Sequence, residues 1–414
     1  MSHRLPYPPN KGDKIRSFHL LRHLSKRYRV HLGTFVDDPA DWRYVDEVRK
    51  LCDEVCIHSL KPWWATLRSV SGLATNEALT VQYYRHRQLQ RWVDRLLGRG
   101  TVRRAVVFSS SMARYLRGGL ADGMRGVIDF VDVDSDKWAQ YATRAPWPLS
   151  WVYRREAERL LCHDASAALA FDASLFVSRE EAALFQHLVP AAAMRTTYVE
   201  NGVDADYFSP ARPYTSPFPA DCLPVVFTGA MDYRANVDAV EWFAEEVFPM
   251  VVERFANAAF FIVGARPNER VRRLQRLGAV TVTGGVPDIR PYLAHARVAV
   301  APLRIARGIQ NKVLEALAMA VPVVATPAAA EGIDQGAGPA LQIEEEPADF
   351  AAKVARFLSG SIPREVGTAA RNWVVQRYNW DDRLEAVDRL LESSGEMTVG
   401  QPAGEEPLDG ICQR

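Results

Sequence analysis

The segment GIQNKVLEALAMAVPVVATP, residues Gly308–Pro327, places a glycine-led loop, a helical stretch and a buried strand in immediate succession. Its small and polar residues come first, and the apolar run Val321–Ala325 has the β-branched composition of a strand that is covered on both faces. Parallel strands are joined by crossovers that usually pass through a helix. The segment therefore predicts an α/β fold.

The same alternation of short β-branched runs and longer helical patterns extends over the rest of the chain. The strands predicted in the first half are Val30–Val36, Glu54–Ile57, Ala105–Phe108, Val127–Val131, Ala167–Phe171 and Thr197–Val199. Those predicted in the second half are Val225–Thr228, Ala259–Val263, Val280–Thr283, Val298–Ala301 and Val321–Ala325. Two successive doubly wound units are the simplest arrangement of these elements, with a proline-rich junction near Asn201–Pro219.

The chain has 414 residues, which is too long for one ordinary hydrophobic core. We predict a Rossmann-like domain over residues 1–203, a second over 204–375, a C-terminal helix over 376–393 and a disordered tail over 394–414. A helix that begins after Gly12 should follow a buried strand, and only Met1–Leu5 is available for it. Either the start lies upstream, or the first sheet lacks its first strand.

Composition limits the classes of protein to which this chain can belong. There are 51 Lys and Arg against 50 Asp and Glu, so the net charge of +1 gives no reason to expect a nucleic-acid partner. The five cysteines are odd in number and include no CxxC pair, which favours a reducing compartment, the cytoplasm. No apolar run reaches the length of a membrane span, so any membrane contact is expected to be peripheral.

The loop-to-helix junction at Gly308 carries the clearest chemical signal. Gly308, Gln310 and Asn311 lead into a helix whose free N–H groups and positive end can face a diphosphate, and Lys312 adds a full charge. One turn later, Glu315 is placed to accept hydrogen bonds from a ribose diol. An ordinary loop-to-helix junction in any doubly wound fold has the same spacing.

Four further segments, together with this one, resemble glycosyltransferase family 4. They are RLPYPPNKGDKIRSFHLLRHL (Arg4–Leu24), ENGVDADYFSP (Glu200–Pro210), FTGAMDYRANVDAVEWF (Phe227–Phe243) and VTGGVPDIRPYLAHARVAVAPL (Val282–Leu303). The pattern is similar to the subgroup described as PEP-CTERM or exosortase-associated sugar transferases. The resemblance implies the GT-B fold, with two Rossmann-like domains facing across a cleft and the C-terminal helix, 376–393, crossing back to the first domain.

The same resemblance implies the activity. A sugar would pass from a nucleotide diphosphate donor, held by the second domain, to a glycan or lipid-linked acceptor at the first domain. Retention of anomeric configuration, a hexosyltransferase of class EC 2.4 and a role in exopolysaccharide biosynthesis are implied by the family. No cofactor is expected.

Only some of the family's donor-site residues have a match in this sequence. Relatives carry a Glu eight residues before the position of Glu315, and here that position is Arg307, so Glu315 keeps the ribose role while the acid that contacts the donor sugar in relatives is replaced. Residues Gly284, Gly285 and Val286 match the turn whose backbone frames the nucleotide base.

Relatives also use an Arg and a Lys after the first strand of the second domain to neutralise the leaving diphosphate. The matching positions are Ala230 and Ala235, so Arg234 and Lys312 are the nearest substitutes. Positive groups that are fixed in place before reaction stabilise the charge that builds on the leaving group. Lys312 is therefore the strongest candidate for the catalytic cation.

In the first domain, Gly12 and Lys14 resemble the family's first glycine loop beneath the donor phosphates, although a simple turn has the same sequence. The stretch DFVDVDSDK, Asp129–Lys137, ends a predicted strand, and Asp132 and Asp134 are candidates for positioning the acceptor hydroxyl or for capping the loop. Their Asp-x-Asp spacing matches the metal motif of the other glycosyltransferase fold, a single-domain architecture. We therefore predict no obligatory metal.

The stretch Lys61–Arg104 is basic, and its part Tyr83–Leu97 is amphipathic. With aromatic residues such as Trp63 and Trp64 nearby, a basic face is suited to rest on anionic lipid at the inner face of the membrane. A helix packed on the sheet with its arginines in water is the alternative.

Two other functions share this architecture. A nucleotide-sugar 2-epimerase acts on the donor without an acceptor. A catalytically degenerate GT-B protein would bind nucleotide or glycan for a partner, and Arg307 in the place of the acid is the feature that suggests it.

Overall fold

The computed structural model describes residues 1–9, 11–75, 77–116, 119–306, 308–360 and 363–392. The described chain forms two compact units. The first contains Met1–Glu200 and residues 384–392, and the second contains Asn201–Arg383. Arg307 and the tail predicted over 394–414 lie outside the described residues.

Strands and helices alternate through the first unit. Its strands are β1 (His31–Val36), β2 (Glu54–Ser59), β3 (Arg104–Phe108), β4 (Arg125–Val131), β5 (Ala173–Phe176) and β6 (Thr196–Tyr198). Its helices are α1 (Gly12–Ser25), α2 (Val45–Arg49), α3 (Pro62–Val70), α4 (Leu79–Tyr83), α5 (Arg87–Gly98), α6 (Asp134–Arg144), α7 (Leu149–Ala170) and α8 (Arg179–Leu188). Short 3₁₀ helices cover Pro39–Tyr44, Ser71–Ala74, Ser110–Leu116 and Pro190–Arg195.

All strand pairs of the first unit are parallel. The strands β3, β4, β5 and β6 form one sheet in that order, and β1 pairs with β2. The segment Met1–Leu5 lies between them, because Ser2 donates its N–H to the Gly33 carbonyl oxygen of β1 (3.0 Å) and Phe108 of β3 donates to the Met1 carbonyl oxygen (2.9 Å). The first residues therefore take the place of a strand between β1 and β3.

The structure corrects two local predictions in this unit. The predicted strand Ala167–Phe171 belongs to the end of α7, and the strand is β5 instead. Ala165 and Ala168 are buried at helical spacing, so an alanine-rich apolar run packs as a helix here. The glycine loop expected at Gly12 is the start of α1, which has Lys11 at its N-cap.

The second unit repeats the alternation. Its strands are β7 (Leu223–Thr228), β8 (Ala258–Val263), β9 (Val280–Gly284), β10 (Val298–Ala301), β11 (Val323–Ala325) and β12 (Leu341–Ile343). Its helices are α9 (Arg234–Trp242), α10 (Phe248–Arg254), α11 (Glu269–Arg273), α12 (Arg290–Ala294), α13 (Asn311–Ala318), α14 (Pro327–Ala330), α15 (Pro347–Leu358) and α16 (Arg364–Arg377). A π-helical turn, Phe243–Val247, joins α9 to α10, 3₁₀ turns cover Leu274–Leu277 and Gln335–Ala340, and α17 (Trp380–Glu392) ends the described chain.

The second sheet is parallel, with strand order β12, β11, β10, β7, β8, β9. The order reverses between β10 and β7, and the carboxyl ends of all six strands lie at one edge of the sheet. In open α/β sheets, ligands bind at this edge near the reversal. The loops after β7 and β10 therefore define where a site is expected.

Within the described ranges, the structure contains no helix that is both long enough and apolar enough to cross a bilayer.

Candidate active site

Three glycines lie side by side where β7, β8 and β9 end. Gly264 donates its N–H to the carbonyl oxygen of Gly284 (3.2 Å), and Gly229 donates to that of Val263 (3.1 Å). A Cβ atom on Gly264 would lie 1.6 Å from the carbonyl oxygen of Gly229, so the two backbones leave no room for a side chain. The result is a bare backbone surface at the carboxyl edge of the sheet.

Lys312, near the start of α13, reaches this surface. Its Nζ donates to Oδ1 of Asn236 on α9 (2.6 Å) and lies 4.3 Å from the centre of the Phe227 ring. A Cβ atom on Gly229 would be 3.3 Å from the same nitrogen, so the glycine admits the ammonium group. Asn236 is itself fixed, because its side-chain nitrogen donates to the carbonyl oxygen of Ala230 (2.9 Å).

The start of α13 has the features of an anion-binding helix end. Gly308 has a φ of +64°, a left-handed conformation that favours glycine. The side chain of Gln310 donates to the Gly308 carbonyl oxygen (3.0 Å), and no side chain of the described residues caps the helix by a hydrogen bond. Oδ1 of Asn311 is buried and has no hydrogen-bond partner among the described residues. The positive end of α13 is therefore uncapped.

Dehydration dominates the electrostatics of this site. Burial lowers the pKa of the Lys312 ammonium group to about 7, against a raising effect from Glu315. Burial likewise raises the pKa of the Glu315 carboxyl group to about 7, and the charge of Lys312 acts against that shift. A bound anion would supply the negative charge that a dehydrated ammonium group needs, and such perturbed groups cluster at functional sites.

Glu315 faces a second group of side chains in the same unit. It accepts no hydrogen bond from any described residue, and its charge helps burial and Asp288 to raise the pKa of the Tyr207 phenol. Arg290 holds Asp288 with two nitrogens, the closer contact being 2.7 Å, and lies 3.8 Å from the centre of the Tyr207 ring. The Tyr207 ring, held by Arg290, therefore lies near enough to Glu315 for the charge of Glu315 to act on it.

The other predicted donor residues of this unit lie at the same edge of the sheet. Arg234 is exposed and is the first residue of α9, two positions before Asn236. Gly284 ends β9 with a φ of +70°, Gly285 is exposed, and Val286 packs partly against the core of the unit. Arg307 lies outside the described residues.

In the first unit, Gly12 and Lys14 both belong to the first turn of α1. A Cβ atom on Gly12 would meet open space. Lys14 is buried, and its ammonium group forms an ion pair with Asp41. The charge of Lys14 is thus compensated inside the unit by a structural partner.

Asp132 and Asp134 both pair with the ammonium group of Lys137 where β4 leads into α6. Nζ of Lys137 is 2.7 Å from Asp132 and 3.1 Å from Asp134. Burial lowers the pKa of Lys137, but the two carboxylates outweigh that effect and raise it above its usual value. The three side chains form a partly exposed cluster with one net negative charge. Among the described residues, no group of three or more His, Cys, Asp or Glu is arranged as a metal site.

Sequence reasoning missed several residues of the second unit that the structure brings to the site. Asn236, Phe227 and Tyr207 lie inside segments that carry the family resemblance, yet no function was predicted for them. In the loop after β7, the prediction concerned Ala230 and Ala235, because relatives have charged residues at these positions. The polar residue one position later, ahead of the apolar face of α9, is the signal that was available.

A family model matches part of the second unit. Residues 223–360 match the family model "Glycosyl transferases group 1". No curated protein sequence matches the chain. The matched range contains the glycine surface, Asn236 and all of α13.

Solved structures extend the match in fold to nearly the whole chain. WaaG, a glycosyltransferase involved in lipopolysaccharide biosynthesis, is 17% identical with a TM-score of 0.62, covering 95% of this chain and 100% of WaaG. Sucrose-phosphate synthase from Thermosynechococcus elongatus is 16% identical with a TM-score of 0.61, covering 94% and 97%. Anabaena HepE in complex with UDP and glucose is 14% identical with a TM-score of 0.57, covering 95% and 98%.

The fold is that of the GT-B glycosyltransferases, with parallel α/β sheets. Together with the family match over residues 223–360, it supports glycosyl transfer as the class of reaction.

Proposed function

We propose that this protein transfers a sugar from a nucleoside diphosphate sugar to a hydroxyl group of a glycan or lipid-linked acceptor. The observation that carries the proposal is the dehydrated ammonium group of Lys312 at the uncapped start of α13, directly beside Gly229. A diphosphate at this place contacts a helix end, a full positive charge and bare backbone.

The roles of the other residues follow from their contacts. Asn236 holds the Lys312 ammonium group in position through its 2.6 Å hydrogen bond. Glu315, one turn further along α13, accepts hydrogen bonds from the ribose diol of the donor. Arg234 adds a second positive charge at the start of α9.

As the sugar departs, negative charge develops on the diphosphate. Groups that are already oriented and dehydrated stabilise this charge without reorganisation, so Lys312 and the α13 end lower the barrier to leaving-group departure. Asp132 and Asp134, with Lys137 between them, are proposed to position the acceptor hydroxyl.

Several finer features belong to the same proposal. We propose a retaining hexosyltransferase of family 4, in the PEP-CTERM-associated subgroup, that acts in exopolysaccharide biosynthesis in the cytoplasm. Cys52, Cys56 and Cys222 form no disulfide bond among the described residues, which fits a reducing compartment. The UDP and glucose in the HepE structure and the lipopolysaccharide role of WaaG support a nucleotide-sugar donor and a glycan acceptor.

The direct test is turnover of a panel of UDP-, GDP-, ADP- and dTDP-sugars by the purified protein, with and without glycan and lipid-linked acceptors. Acceptor-dependent release of one nucleoside diphosphate is expected, with the donor's anomeric configuration in the product by NMR. Donor consumption without an acceptor would indicate an epimerase, and tight nucleotide binding without turnover would indicate a binding protein. Either result would reject the proposal.

We also propose that no metal ion is required, because Lys312 and the helix end supply the positive charge at the diphosphate. Turnover is expected to persist after treatment with EDTA. Complete loss in EDTA, reversed by a divalent cation, would refute this part.

A further inference from the structure

Helix α3 presents large apolar side chains to solvent. Trp63, Trp64, Leu67 and Val70 are 61%, 53%, 57% and 50% exposed, and Trp63 and Trp64 stack with their ring centres 4.0 Å apart. Their spacing places them within one face of the helix. The buried side is narrow and consists of small residues, so α3 has its apolar face outward.

This orientation is fixed by the rest of the first unit. Arg68 donates to the carbonyl oxygens of Tyr83 (2.5 Å) and Gln82 (3.3 Å), and Ala65 and Ser69 are buried. The inward side of α3 is thereby tied to α4, so the tryptophans cannot turn into the core without breaking these contacts.

The segment that carries α3 is strongly basic. Residues 61–104 contain nine Lys and Arg against two Asp and Glu, in a chain whose net charge is +1. Residues 61–75 contain no acidic residue. Arg85 is close enough to Arg68 to add to the effect of burial, which lowers the pKa of the Arg68 guanidinium group. Lys61, directly before α3, and Arg85, close to Arg68, are thus exposed basic residues near this helix.

The sequence predicted either that a basic face of Tyr83–Leu97, with Trp63 and Trp64 nearby, rests on lipid or that this helix packs on the sheet, and in the structure the apolar face of α5 is buried. Leu89, Trp92, Val93 and Leu96 are all buried in the core of the first unit. Its apolar side chains are thus unavailable to lipid, whereas α3, which lies in the same basic segment, has an outward apolar face.

We propose that α3 docks the protein on an anionic lipid bilayer. Trp63, Trp64, Leu67 and Val70 lie in the interface between headgroups and acyl chains, while Lys61 and Arg85 contact lipid phosphates. Amphipathic helices with an aromatic apolar face and basic surroundings bind membranes in this way, without spanning them.

The test uses full-length protein and sedimentation with vesicles of phosphatidylcholine alone or with phosphatidylglycerol, in the absence of donor and acceptor. Binding to the anionic vesicles is expected, with little binding to neutral ones. The double substitution Trp63→Ala with Trp64→Ala should weaken binding by about tenfold or more. Trp42→Ala, which removes a 44% exposed tryptophan from the same unit, should leave binding unchanged.

Charge is tested by Lys61→Glu with Arg85→Glu, which should reduce binding to anionic vesicles, and by high salt, which should do the same. Circular dichroism of each variant checks that the fold is kept. Equal binding by wild type and the double tryptophan variant would overturn the proposal. The proposal would also be overturned if the wild type did not bind vesicles and the double tryptophan variant changed from oligomer to monomer. In that case α3 would contact another protein chain. These outcomes do not depend on the glycosyltransferase assay.

Discussion

Replacement of Lys312 by Met tests the electrostatic role of α13 with little change in side-chain volume. Lys312 is half-buried, and burial lowers its pKa to about 7, so an effective dielectric constant of about 20 applies rather than that of water. At about 4 Å, one unit charge then contributes roughly 4 kcal/mol to a charged transition state. Loss of one oriented stabiliser lowers turnover by about 10²–10³, which agrees with that energy.

The assay is kcat and KM for the best donor of the panel, with nucleoside diphosphate binding measured by calorimetry. Lys353→Met is the matched control, because Lys353 lies on α15 in the same unit and pairs with Glu344 at 3.2 Å, outside the site. Turnover should fall in the Lys312 variant at saturating donor and stay unchanged in the control. Unchanged turnover in Lys312→Met would refute the assignment.

Two further predictions concern the same edge of the sheet. Above a pH of about 7, free Lys312 loses its proton while diphosphate-bound Lys312 keeps it, so nucleoside diphosphate affinity should fall as the pH rises to about 9, with proton uptake on binding. Calorimetry in buffers of different ionisation enthalpy measures the uptake, and equal uptake by Lys312→Met would contradict this source of the proton. Gly264→Ala should destabilise the protein by about 3 kcal/mol or more, because its Cβ atom would overlap the Gly229 carbonyl oxygen. Gly285→Ala is the control, because its Cβ atom would make an ordinary 3.6 Å contact with Ala265, and equal denaturation midpoints for the two variants would count against the backbone contact.

Local sequence patterns predicted much of the secondary structure of the second unit. Strands such as β10 were predicted at their observed bounds, Val298–Ala301, because a short buried β-branched run between helices has few other interpretations. The prediction of a strand at Ala167–Phe171 was wrong because alanine packs equally well in a buried helix. Only the tertiary contacts of α7 decide between a strand and a helix there. Strand β12 was missed because three residues carry too little periodicity.

The candidate site could be predicted only where its functional residues lie close together in the sequence. Lys312 and Glu315 follow a glycine-led loop at the start of a helix, so their roles could be proposed from spacing. The contact between Lys312 and Asn236 joins residues 76 positions apart, and it exists because β10 lies next to β7 in the sheet. Strand order is set by long-range pairing, which a single sequence does not display.

The near-contact between Gly264 and Gly229 also limits how this surface can change. Any side chain at position 264 displaces the neighbouring strand end, so this surface is formed by main chain and does not tolerate ordinary substitution. Under the proposed function, changes in donor preference are therefore expected from surrounding side chains such as Tyr207 and Val286. A library aimed at new sugar donors would keep both glycines and vary those positions.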